Sequence, residues 1–177
     1  MRMLVTLLIA GVSATLSAQA PAGGSPVSDA IREGWNGAKQ NITASAKVMP
    51  EAKFAFKPVD SVRTFGQILA HLAGANYVFC AAAKGERSPF TEDAFEKTAM
   101  TGAAIVKAVE ASIAYCDAAY TALTDRAAGE MAAAPFGSGK TSRAAVLMNN
   151  TGHNQEHYGN LVTYLRINGI VPPSSAR

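Results

Sequence analysis

Apolar residues recur along this 177-residue chain at the three-and-four spacing of helices that share a core, and no run of alternating β-branched residues suggests a sheet. The spacing predicts a first helix from about Val27 to Val48, where Ile31, Trp35, Ala38 and Ile42 follow one another on one face. Ser28 or Asp29 can cap it, and Pro50 lies just past its end. A second helix, from about Phe65 to Ala83, buries Phe65, Ile68, Leu72, Ala75 and Phe79. Its start carries the capping box Thr64-Phe-Gly-Gln67, in which hydroxyl and amide each satisfy an orphan backbone N–H. A third, from about Ala99 to Leu123, holds a stripe of Val106, Val109, Ile113, Cys116, Tyr120 and Leu123. The fourth, from about Ser142 to Asn168, is different. Val146, Asn150, His153, His157, Asn160, Leu161 and Tyr164 fall within about 100° of arc, so its inner face is apolar at both ends and polar in the middle. Gly169 marks its stop, with Pro172 and Pro173 beyond.

Four amphipathic helices predict an all-α fold, a four-helix bundle. The connections of about Pro50 to Asp60, Lys84 to Lys97 and Asp125 to Thr141 exceed minimal helix hairpins, long enough for one of them to cross the length of the bundle. Ahead of the helices, Arg2 precedes an apolar run from Leu4 to about Leu16, closed by Ala18-Gln19-Ala20. Residues 1–20 read as a secretory signal peptide, with Ala20-Pro21-Ala22 a second small-x-small site, and 21–177 as the bundle domain. The apolar run is shorter than the roughly 20 residues of a membrane span, so no stable membrane insertion is expected after cleavage, and the protein is expected to be exported, periplasmic or secreted.

The chain carries 16 Lys and Arg against 13 Asp and Glu, with a net charge of +3, and losing Arg2 with the leader trims the excess further. No basic patch and no aromatic ladder is present, which excludes nucleic acid as an expected partner and leaves a small-molecule substrate. Export places Cys80 and Cys116 in an oxidising compartment, where two cysteines commonly pair. Two buried free thiols are the alternative.

The chemistry concentrates in the histidines, of which there are three: His71, His153 and His157. The last two are one turn apart on one helix face, about 40° around the axis, where one metal ion can bridge them. His71, on the second helix beside the small Ala75 and Val78, would complete a facial three-histidine site that leaves coordination positions for water or substrate. Three neutral imidazoles suit zinc or nickel foremost, and also iron or copper. The competing reading is a set of hydrogen-bonded core or surface histidines. The pair is not a zincin motif, because Asn154 stands where Glu would follow the first His. Glu156 sits on the shoulder of the same face as an outer hydrogen-bond acceptor, general base or solvated charge. Asn150 and Asn160 are expected to face the cavity, and Tyr164 is a further candidate for substrate contact. Ala134-Pro-Phe-Gly-Ser-Gly-Lys-Thr141 loosely matches a phosphate-binding loop, but Ala replaces the first Gly and no strand is expected before it. It reads as a loop into the fourth helix, with Thr141 or Ser142 as N-cap. The sequons at Asn41 and Asn149 fall on helices and are read as coincidental.

With these residues in hand, the chain resembles the DinB superfamily, the damage-inducible or YfiT-like metalloenzymes. Met49-Pro-Glu-Ala-Lys-Phe54 with Pro58 resembles that family's first connection. Thr64-Phe-Gly-Gln-Ile-Leu-Ala-His71-Leu-Ala resembles its second-helix motif, and His153-Asn-Gln-Glu-His157-Tyr-Gly-Asn-Leu-Val-Thr-Tyr164-Leu-Arg166 its fourth-helix signature. The resemblance implies a bundle with a long crossover between helices 2 and 3 and a divalent metal on His71, His153 and His157, and it allows a homodimer by analogy. The family often has Glu where this chain has Gln67, a capping position. If helices 2 and 3 run parallel, Cys80 and Cys116 come level, and a disulfide would support that arrangement. The expected function is a metal-dependent hydrolase using activated water. The alternatives are a metal-dependent thiol S-transferase, set back because thiol cofactors are chiefly cytoplasmic, and a non-catalytic metal-binding bundle.

Overall fold

The computed structural model describes residues 25–98 and 100–176, so the expected signal peptide lies outside the described residues. The chain forms α1 (Pro26–Val48), α2 (Phe65–Lys84), α3 (Gly102–Thr121), the short α4 (Asp125–Ala128), the strands β1 (Met131–Ala133) and β2 (Lys140–Ser142), and α5 (Arg143–Ile167). α1, α2, α3 and α5 are the four helices that the periodicity predicts. α2 begins at its capping box: Gln67 N donates to Thr64 Oγ1 at 3.1 Å and Thr64 N donates to Gln67 Oε1 at 2.8 Å. It ends at Gly85, whose φ of 75° is the left-handed turn that glycine makes without penalty. Ser142 caps α5 as expected. Ser28 and Asp29 do not cap α1. Pro26 opens that helix, which puts both residues inside its first turn, and its free amides are met instead by Asp125 of α4, which accepts from Ser28 N at 2.8 Å.

Cross-helix contacts fix the directions. α1 runs antiparallel to α3: Arg32 reaches the Leu123 carbonyl at 2.6 Å, and Trp35 Nε1 donates to Asp117 at 2.7 Å. α2 runs parallel to α3, with Asn76 level with Ser112 at 3.2 Å and Cys80 level with Cys116. α2 and α5 are antiparallel, Asn154 donating to Asn76 Oδ1 at 2.8 Å. α1 and α2 therefore sit on opposite corners of the bundle, and the chain between α2 and α3 must travel back along its length. That is the long crossover, over residues 85–101.

The core is built from the expected stripes. Trp35 stacks on Tyr120 with ring centroids 4.7 Å apart, and burial pushes the Tyr120 hydroxyl up to about 12. That hydroxyl donates to the Leu147 carbonyl at 2.7 Å, so one side chain ties α1, α3 and α5. Before α5 the chain departs from expectation. β1 and β2 pair antiparallel, Met131 opposite Ser142, in a hairpin too short to show alternation in the sequence. The segment resembling a phosphate-binding loop is its turn, with Gly137 and Gly139 at positive φ; Lys140 and Thr141 lie in β2, not at a helix start. No described helix is long and apolar enough to cross a membrane.

Cys80 and Cys116 form a disulfide with Cα atoms 5.2 Å apart and a sequence separation of 36. Closing a loop of that length restricts the unfolded chain. Replacing both cysteines by serine is expected to lower the unfolding free energy by about 2–4 kcal/mol, measured by denaturant titration under oxidising conditions. An unchanged midpoint would show that the crosslink does not bear on stability.

Candidate metal centre

Three rings converge where α2 faces α5. His71 comes from the second turn of α2, and His153 and His157 come from successive turns of α5. Ring centroids lie 5.1 Å apart for His71 and His153, 4.9 Å for His71 and His157, and 4.6 Å for His153 and His157. One nitrogen from each ring lies within 4.8 Å of the other two. His71 Nε2 and His153 Nε2 are 3.2 Å apart, close enough for one proton between them. His71 and His157 are buried and His153 is half-buried.

The surroundings keep all three imidazoles neutral. Burial pushes His153 down to about 4, helped by repulsion from His157 and His71. Burial also lowers His157, with His71 adding to it. His71 is lowered by burial and by the Arg63 charge, against an opposing pull from Glu92 and Glu96. Neutral imidazoles with free lone pairs are the state that binds a transition metal.

The crossover between α2 and α3 supplies the two carboxylates at the site. Glu96 Oε2 lies 3.3 Å from His71 Nδ1, and its Oε1 accepts from Arg63 Nε at 2.9 Å. Glu92 Oε1 lies 3.7 Å from His71 Nε2, on the side where the rings converge. Neither residue was singled out from the sequence. Their one available signal was two acidic residues four apart in a connection long enough to cross the bundle.

The DinB superfamily model matches residues 35–161, a span that contains all three histidines. The chain belongs to the DinB superfamily. Among solved structures, a DinB-like protein from Bacillus cereus ATCC 10987 superposes with a TM-score of 0.68 at 16% identity, over 82% of this chain and 95% of that one. A mycothiol-dependent maleylpyruvate isomerase superposes with a TM-score of 0.61 at 14% identity, over 76% of this chain and 60% of that one. At these identities the likeness is one of fold. No curated protein matches the sequence.

Within the DinB bundle the remaining candidates separate by where they point. Asn150 does not face the cavity. It is fully buried, and its amide donates to the Tyr120 hydroxyl at 3.1 Å and approaches both sulfurs of the disulfide. Asn160 does lie at the site, its amide 3.3 Å from His157 Nδ1. Tyr164 donates its hydroxyl to the Arg63 carbonyl at 2.6 Å, which anchors the segment carrying Arg63. Glu156 is exposed, at the rim of a cleft of about 600 Å³ where His153 meets Phe79, Phe136 and Met148. A larger cleft, about 740 Å³, reaches His157 and is lined by Lys57, Arg63, Gln67, Glu96 and Tyr164 among others. The DinB cluster is thus approached from an aromatic side and from a charged side.

The lowered histidines fix a pH dependence for the metal-free protein. The unfolded chain, with ordinary histidines near pH 6.5, takes up protons before the folded one, so stability is full above about 6.5 and falls as pH drops toward about 4. Denaturant midpoints across that window should decline in the parent and decline less in His153→Gln. Equal slopes would mean that His153 is not held neutral.

Proposed function

We propose that this DinB-superfamily protein is an exported, metal-dependent hydrolase of a small-molecule substrate. The carrying observation is the convergence of three neutral ring nitrogens within 4.8 Å of one another beside an accessible cleft. The residues fit a divalent transition metal. Three imidazole nitrogens within 4.8 Å of one another, in a place where burial holds the rings neutral, are the donor set of an open transition-metal site. His71, His153 and His157 would be the ligands, and imidazole donors favour zinc or nickel, with iron or copper also suited. Such an ion, when bound, polarises a carbonyl or phosphoryl oxygen and lowers the pKa of water.

The chain's own groups complete the reading. Glu92 Oε1, beside His71 Nε2, is placed to take a proton from an attacking water. Lys57 and Arg63 line the larger cleft together with their ion-pair partners Asp60 and Glu96, which gives it donors and acceptors to orient a polar substrate. Asn160 holds the His157 ring through Nδ1. Export is supported by the apolar leader at 1–20 and by a disulfide suited to an oxidising compartment. A second reading, transfer to a thiol, draws on the mycothiol dependence named for one structural neighbour. In an oxidising compartment a low-molecular-weight thiol is the scarcer co-substrate, so hydrolysis is placed first.

A panel of chromogenic esters and phosphoesters, assayed on metal-reconstituted protein with and without added thiol, separates the two. Thiol-independent turnover is expected, abolished by chelation and by His153→Ala and lowered about 10²–10⁴-fold by Glu92→Gln. Turnover that needs thiol would replace hydrolysis by transfer, and turnover that survives both chelation and His153→Ala would contradict the site.

A further inference from the structure

The crossover does more than connect two helices. Glu96 Oε2 and His71 Nδ1 are both buried, and neither has a hydrogen-bond partner elsewhere among the described residues. They lie 3.3 Å apart, which makes each the available partner of the other. The opposite carboxylate oxygen is held by Arg63 Nε, so the carboxylate cannot turn away without losing a second charge-assisted bond. An ionised carboxylate only accepts, so the proton between them sits on the ring nitrogen. A ring protonated at Nδ1 presents its lone pair at Nε2, the atom that faces His153.

The crossover is pressed onto α2 at one place that the sequence marks. Gly74 lies one turn beyond His71, and a Cβ there would come 2.6 Å from the Glu92 carbonyl carbon and 2.9 Å from the Thr91 carbonyl oxygen. Only glycine lets backbone approach a helix so closely. The close contact sets the depth at which residues 92–96 sit beside the histidine.

We propose that Glu96 is a positioning residue: docked through Gly74 and held by Arg63, it fixes His71 in the Nδ1–H tautomer and so aims Nε2 into the three-histidine cluster. This rests on the reading of that cluster as a metal site for its consequence, but not for its geometry. A carboxylate behind a ligating imidazole orients the ring and raises its basicity, and its loss typically weakens metal binding about 10–100-fold.

The test uses metal-free protein carrying ¹⁵N-histidine. Long-range proton–nitrogen correlation spectra at neutral pH should show His71 as Nδ1–H in the parent. In Glu96→Ala and in Gly74→Ala, which touches no histidine, the Nε2–H form should appear. Zinc affinity by chelator competition should fall about 10–100-fold in both of these variants. An Nε2–H tautomer in the parent, or a parent-like tautomer in Glu96→Ala, overturns the proposal; should that variant not fold, Gly74→Ala decides in the same way. A parent that binds no zinc while its tautomer still follows Glu96 overturns the metal reading and leaves the positioning role standing.

Discussion

Parallel packing of α2 against α3 is the constraint on which the other features depend. Two consecutive helices that point the same way cannot be joined by a hairpin, so 17 residues, 85–101, are spent returning along the bundle. The same parallel register brings Cys80 level with Cys116 and Asn76 level with Ser112. The returning segment lies along α2, and its path delivers Glu92 and Glu96 to His71. A simple up-and-down bundle with the same helix faces would keep the His153 and His157 pair but would have no carboxylate behind His71.

The second governing feature is a polar interior that is mostly paired. Asn76, Ser112, Asn150 and Asn154 are fully buried, and each unpaired group there would cost about 1–3 kcal/mol. They are chained instead, from Ser112 through Asn76 and Asn154 to Asn150, and from Asn150 to Tyr120, with the Asn154 Oδ1 atom left without a partner. The polar middle of the α5 face therefore serves two ends. Asn150 and Asn154 hold helices together, while His153 and His157, on the adjoining edge, meet His71. The unpartnered ring nitrogens belong to the second group, which is where binding rather than packing is to be sought.

This division explains what could be read from the chain and what could not. Helical stripes, the Thr64–Gln67 box and the i, i+4 histidines are local, and local spacing fixes them. The family motifs around His71 and His153 added the long crossover between helices 2 and 3. What escaped depends on neighbours distant in sequence. Asn150 shares an arc with the histidines, but angle on a helical wheel does not say whether a side chain faces a cavity or, as here, a disulfide and a tyrosine. Ser28 and Asp29 have the chemistry of caps, but Pro26 starts the helix earlier and Asp125 supplies the cap from elsewhere. Glu92 and Glu96 lie in a segment without periodicity, and their four-residue spacing alone did not point to His71. The hairpin before α5 is three residues per strand, below the length at which alternation is visible.

The central claim is that His71, His153 and His157 act together as one metal site. Elemental analysis of protein purified without an affinity tag, beside the His153→Ala variant, addresses it most directly. About one equivalent of transition metal in the parent and little in the variant is the result expected of a site in which all three rings are ligands. A parent that holds no metal even after reconstitution, or a variant that retains the full equivalent, would contradict it and return the cluster to a packing role.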